Sequence, residues 1–341
     1  MDRAADPLAA PLRTSTSRGE IIAFVVLLAV LIVAPAFVYP MSLMKSLCFA
    51  LFACAFNLLL GYVGLLSFGH ALFFGYGSYV CAHLAKIGTI SLPFWSSGWK
   101  WLVIPLPPLS PELAILGGTA AAGLLGLLAG ALAIRRQGIY FAMITLALAQ
   151  MMFFFAVQAP FTHGEDGIQA VPRGWLFGII DLNDQTNMYI TVAVIFLAGF
   201  LLIYRIIHSP FGEVLKAIRE NEARAISLGY KTERYKLVAF VLSATLAGLA
   251  GATKAIVFQL ASLTDVDWPM SGEVVLMTLV GGLGTVFGPV VGAFIIITTQ
   301  DNLAQVGRWV MVIQGAIFVF CVLLFRRGIV GEMARLLRTK L

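Results

Sequence analysis

Apolar residues run along this chain in stretches of about the length that crosses a bilayer as a helix, roughly 20 residues. The runs cover residues 21–39, 41–60, 66–86, 113–134, 139–159, 188–207, 237–258, 273–299 and 309–325. The eighth is long for one crossing, and Gly281, Gly282, Gly284, Gly288 and Pro289 interrupt it. It reads as two shorter segments hinged at GGLGTVFGP, which gives about ten crossings. A second glycine-rich break, GYVGLLSFGHALFFGYG over residues 61–77, falls in the first half. Interrupted spans point to a transport path. Small residues that let helices approach closely produce the same pattern, and the two readings are compatible.

One polar island stands out, SPFGEVLKAIRENEARAISLGYKTERYK over residues 209–236. Ser followed by Pro is a sound helix start. Val214, Leu215, Ile218, Ala225 and Ile226 then recur at three-to-four spacing, which predicts an amphipathic helix outside the membrane. Gly229, just after Leu228, is placed to stop it. Such a helix is either a solvated connector or a knob docked into a partner.

The composition agrees with the runs. Of 341 residues 60% are hydrophobic and 12% charged, with mean hydropathy +0.92, against about a quarter charged in soluble domains. The class is therefore all-α, a polytopic helical membrane protein. The net charge of +6 calls for no nucleic acid, because basic loops held on the cytoplasmic face account for it. Arg3, Arg13 and Arg18 precede the first run, Arg135 and Arg136 sit together, the island is rich in positives, and Arg326, Arg327, Arg335, Arg338 and Lys340 close the chain. The opposing loops carry Lys100 and Arg173. The expected division is a polar cytoplasmic leader (1–20) with no cleavable signal, a transmembrane domain (21–326) with a cytoplasmic loop at 209–236, and a basic cytoplasmic tail (327–341). Trp95, Trp99 and Trp101 suit a membrane interface.

Ionisable groups inside spans are expensive and therefore suspect. Lys45, His83 and Glu273 lie near run ends, where snorkelling explains them. His70 sits beside Ser67 in the first break, either lining a path or packing helices. Lys254, in mid-run, needs a carbonyl or a carboxylate. Asn57, Thr145 and Gln150 either line a polar path or bond helix to helix. Cys48, Cys54, Cys81 and Cys321 lie in apolar runs without metal-like spacing and read as inert thiols. His163, Glu165 and Asp166 cluster in a Gly-containing loop, a weak metal signal. Asp265 and Asp267 read as ordinary outer-loop carboxylates. No catalytic set, metal site or cofactor site emerges, and without G-x-x-x-x-G-K-[ST] the chain has no usual phosphate cradle.

Six segments together resemble the LivM-type permease subunits of bacterial branched-chain amino acid ABC importers. They are GYVGLLSFGHALFFGYGSY (61–79), GIYFAMITLALAQ (138–150), GEDG (164–167), SPFGEVLKAIRENEARAISLGY (209–230), LVGGLGTVFGPVVGA (279–293) and FRRGIVG (325–331). The resemblance implies an ABC importer permease fold in the bacterial inner membrane with both termini cytoplasmic. It also implies a second related permease, two cytosolic ABC ATPases and a periplasmic substrate-binding protein as partners. The island then corresponds to the loop that docks on the ATPase, with Glu213, Arg219, Glu222, Ala223, Arg224 and Gly229 as its coupling residues. The Gly falls one place later than in the general importer motif, so no residue-level docking map carries over. Ser67, His70, Asn57, Thr145, Gln150, Gly281, Gly282 and Gly284 are the candidates for the translocation path.

The function expected is a permease subunit for branched-chain amino acids, with a urea or other small-solute permease as the alternative. A self-sufficient channel or secondary carrier is the reading from a different class. It would need a paired intramembrane charge network, of which the sequence offers scattered members only.

Overall fold

The computed structural model describes residues 18–86, 89–91, 103–105, 108–303 and 328–336, with five isolated positions between 312 and 319. Most of the expected leader, Trp95, Trp99, Lys100, Trp101, Cys321, most of the 309–325 run, and Arg326, Arg327, Arg338 and Lys340 lie outside the described residues, as does the side chain of Arg335.

The long apolar runs are helices: α1 Arg18–Val33, α2 Pro40–Tyr62, α3 His70–Lys86, α4 Pro111–Ala133, α5 Ile139–Gln158 and α6 Gln185–Ile207. The polar island follows as α7 Pro210–Glu220 and α8 Glu222–Ser227. Then come α9 Thr232–Phe258, α10 Trp268–Gly281, α11 Gly288–Leu303 and α12 Gly328–Leu336. Proline in the first turn of α2, α4 and α7 fits a position whose N–H has no partner in the helix. Six of the described helices are long and apolar enough to cross a membrane. Three short antiparallel ladders decorate the loops: β1 Thr89–Ser91 with β2 Val103–Pro105, β3 Ile168–Gln169 with β6 Leu260–Ala261, and β4 Trp175–Leu176 with β5 Ile180–Asp181.

α2 is apolar all round and buried along almost its whole length, as a helix at the centre of a bundle should be. α9 packs on α2, α3 and α4, and the α10–α11 hairpin packs on α2. Glycines bring backbones together there: a Cβ on Gly251 would lie 1.9 Å from the Phe74 carbonyl oxygen, and one on Gly77 would lie 2.5 Å from that of Gly248. α1, α4, α5 and α6 instead leave rows of Leu, Ile, Val and Phe exposed.

Several run boundaries move. α3 starts at His70, not Leu66, because the chain between Tyr62 and His70 leaves the helical path with Gly64 at φ 81°. α9 starts at Thr232 and takes in the end of the island, since Lys236 is neutralised by Glu222. α10 starts at Trp268, with Asp267 accepting from the Trp268 N–H and Pro in the first turn. The long eighth run does divide into two helices, separated between Gly281 and Gly288.

Two ends of the bundle can be told apart by their contacts. At one end lie the start of α1, the ends of α2 and α6, α7–α8 and the start of α9. Tyr204 donates to Glu20 there at 2.9 Å, and Arg219 donates to the Gly61 carbonyl. The opposite end holds the β3–β6 ladder, the end of α3 through Lys86 on the Gln169 carbonyl (2.6 Å), and the pairing of Lys45 near the start of α2 with Asp301 near the end of α11.

Candidate functional site

The island folds as two helices, not one. Asn221 is extended (φ −157°) and its side chain accepts from the Arg224 N–H at 3.0 Å, so it ends α7 and caps α8 in one residue. Gly229 does stop α8. Its N–H bonds the Ile226 carbonyl, that of Tyr230 bonds the Ala225 carbonyl, and Gly229 takes φ 89°, the left-handed helix stop that glycine suits. Leu215, Ile218 and Ala225 face inward. Glu213, Ala223, Arg224, Ile226 and Leu228 face out, with Leu228 70% exposed. Exposed charges of both signs flank these apolar residues in the chain, Arg224, Lys231 and Arg234 with Glu220 and Glu233. An apolar knob flanked by exposed charges can seat in a complementary groove of a partner.

Two of the expected coupling residues also bond within the chain, Arg219 while exposed and Glu222 while half-buried. Glu222 takes Lys236 at 2.5 Å and the Thr232 hydroxyl at 3.1 Å, which ties α8 to α9. The Arg219 guanidinium donates to the Gly61 carbonyl at the end of α2. Its stem crosses Gly64, and its tip lies 3.2 Å from where a Gly284 Cβ would stand. Asn57 joins the same place, accepting from the Gly284 N–H (3.1 Å) and donating to the Thr285 carbonyl (2.9 Å). The two glycine breaks, more than 200 residues apart in sequence, therefore meet under α7. Gly281 and Gly282 belong to this group through α12: a Cβ on Gly328 would lie 2.3 Å from the Gly282 Cα.

The second group lies deeper. α3 begins within the bundle, with its first residues buried. The Ser67 hydroxyl accepts from Gly69 N–H at 3.3 Å and the Ser271 hydroxyl from Ala71 N–H at 2.9 Å. A buried helix end needs such partners. His70 is fully buried among Phe56, Phe73 and Phe240, with Nε2 2.8 Å from the Ser243 hydroxyl. Ser243 donates its one proton to the Ala55 carbonyl, so Nε2 carries the histidine's hydrogen. Nδ1 is left a bare acceptor without a partner among the described residues. Thr145 on α5 closes over Gly69, whose Cβ would lie 2.5 Å from the Thr145 carbonyl. Ser67, Gly69, Leu72, Phe73, Thr145 and Phe240 line a tight crevice here. Gln150, farther along α5, is half-buried.

The charges are arranged differently from the expectation. Asp265 is no loop carboxylate: it is 1% exposed and takes Lys254 on both oxygens at 2.5 Å. Lys45 reaches Asp301 at 2.7 Å, so it is paired and does more than snorkel. Asp267 caps α10. Among the described residues no three His, Cys, Asp or Glu side chains converge on a metal-sized site, and His163, Glu165 and Asp166 belong to a tight turn. Ser243, Ser271 and Asp301 were not singled out by the sequence. Each acts through a partner distant in the chain, and no local spacing marks them.

A bundle of apolar helices with two glycine-broken members and a charged knob at one end defines a multi-pass membrane permease. The chain belongs to the branched-chain amino acid transport system / permease component family, whose model matches residues 38–322. It is 25% identical over 333 residues to the high-affinity branched-chain amino acid transport system permease protein LivM of Escherichia coli, covering 90% of this chain and 74% of that protein. The LivM protein of Salmonella typhimurium is 24% identical over 332 residues, 89% of this chain and 74% of its own. The ribose import permease protein RbsC of Bacillus subtilis is 29% identical over 203 residues, 53% of this chain and 58% of that protein. No solved structure matches. The chain is thus a transport permease that assembles with other ABC transporter components, and it is not an enzyme.

Proposed function

We propose that the chain forms part of the translocation path of an ATP-driven importer for branched-chain amino acids. It works in the bacterial inner membrane beside a second, related permease, on two cytosolic ABC ATPases, and receives solute from a periplasmic binding protein. The knob of Ala223, Arg224, Ile226 and Leu228 supports this reading most directly. It exposes apolar side chains among charged ones, outside the apolar bundle, at the end of the bundle that carries the Lys- and Arg-rich island. That end faces the cytoplasm under the positive-inside rule. Both termini lie on that side, the bundle crosses about ten times, and the leader (1–20) and tail (327–341) are cytoplasmic flanks of the 21–326 permease domain. Ala223, Arg224, Gly229 and Glu213 form the docking face, while Arg219 and Glu222 hold it to the bundle. Ser67, His70, Thr145 and Gln150 line the path with Asn57, Gly281, Gly282 and Gly284 at its inner end.

The test is reconstitution. The permease pair with its ATPases and binding protein should take up leucine, isoleucine or valine in proteoliposomes only with ATP and the binding protein present. Uptake of urea in preference to these amino acids would replace the substrate. Solute flux by this chain without any ATPase would replace the importer by a channel or carrier.

A further inference from the structure

Arg219 does something that neither a docking contact nor a solvated charge would do. α2 ends at Tyr62, and the amides of Val63 and Leu65 both turn to the Leu59 carbonyl, at 3.2 and 3.3 Å. The Gly61 carbonyl, in that last turn, is taken by the Arg219 guanidinium from a different helix. Carbonyls at a helix end carry the negative pole of its dipole, so a cation is favoured there. The same side chain lies over both breaks. A Cβ on Gly64 would stand 3.1 Å from the Arg219 Cγ, and one on Gly284 3.2 Å from Nη1 and 3.4 Å from the Gly61 carbonyl oxygen. Both glycines have positive φ, 81° and 74°. From the bundle side, Asn57 of α2 bonds the backbone of the second break at Gly284 and Thr285.

We infer that Arg219 is a positioning residue, a strut that carries displacement of α7 to both glycine breaks at once. This rests on the importer reading above. α7 is short and is held inward by Leu215 and Ile218, so a push on the neighbouring knob moves it as a unit. The breaks are where the backbone can bend without tearing helical hydrogen bonds, and rigid-body shifts are absorbed at a few such points. A planar fork of several donors suits one carbonyl approached beside a second backbone, whereas a lysine offers one compact charge. Asn57 then holds the second break in step with the first.

The experiment uses the whole reconstituted importer and reads solute molecules moved per ATP hydrolysed, with ATPase retention on purification as the control. Arg219→Ala should retain the ATPase subunits at wild-type yield while moving at least about fivefold fewer molecules per ATP. Arg219→Lys should recover part of the ratio. Asn57→Ala should lower the ratio too, and the double variant should be no worse than the poorer single one. A wild-type ratio in Arg219→Ala overturns the strut, as does transport lost only in proportion to lost ATPase subunits, or full multiplication of the two single effects. If the unmodified chain retains no ATPase at all, the importer reading itself falls, and that control is scored separately from the variants.

Discussion

Both carboxylate oxygens of Asp265 lie 2.5 Å from the Lys254 ammonium, and the two side chains are only 2% and 13% exposed. The pair pins the short turn before α10 to the last part of α9, and that turn packs on α3 at Gly75. A buried pair of this kind holds geometry more than it adds stability.

Removing one partner should therefore be far worse than removing both. Lys254→Met leaves an uncompensated buried carboxylate and should lower stability by about 3–5 kcal/mol. Lys254→Met combined with Asp265→Leu should recover most of that loss. Thermal unfolding of the purified chain in detergent checks this, and equal destabilisation by the single and double variants would contradict it.

Gly284→Ala meets two obstacles at once. Its backbone is left-handed, at φ 74°, which costs an L-residue about 1–2 kcal/mol. The new methyl would also stand 3.2 Å from the Arg219 guanidinium. We expect a loss of about 1–2 kcal/mol and reduced transport, whereas Gly272→Ala, whose Cβ would meet nothing within 4 Å, should leave transport unchanged. Unfolding and uptake assays on the two variants make the comparison.

Ser243 is the hinge of the deeper group, donating to the Ala55 carbonyl and accepting from His70. Ser243→Ala strands the His70 N–H in an apolar surround. An unsatisfied buried donor costs about 1–3 kcal/mol, so the variant should be less stable by that amount. His70→Phe in the Ser243→Ala background removes the stranded donor and should restore part of the loss. Thermal shift measurements on the three variants read the pattern.

The spans and the second break were legible because each is a local property, apolar length in one case and clustered glycine in the other. The basic knob was legible for the same reason. Asp265 was misread because an Asp in a polar stretch looks exposed, and only Lys254 on a neighbouring helix brings it inside. Arg219 carried a signal that charge concealed: it sits four residues after the buried Leu215, hence on the side of α7 nearest the bundle, although the residue itself stays exposed. Asn221 carried another, since Asn is among the preferred residues for a helix N-cap. Ser243 and Ser271 had none, because what they bond comes from the other half of the chain.

The last prediction concerns Glu222, whose carboxylate ties α8 to α9. It holds the nearly buried Lys236 at 2.5 Å and the Thr232 hydroxyl at 3.1 Å. Glu222→Ala leaves that lysine, 5% exposed, without its counter-charge, and the loss should approach the roughly 3–5 kcal/mol of a broken buried pair. Part of the loss should appear locally: α8 has six residues, too few to persist without tertiary support. Limited proteolysis should then cut between residues 221 and 231 at least about tenfold faster than in the unmodified protein. Glu222→Gln keeps an acceptor for Thr232 but no charge for Lys236, and should fall between the two. Adding Lys236→Met to Glu222→Ala removes the stranded charge and should restore global stability. It restores no tie between the helices, so cleavage of the 221–231 segment should stay fast. Should stability and cleavage instead recover together, Glu222 would be balancing a buried charge and nothing more.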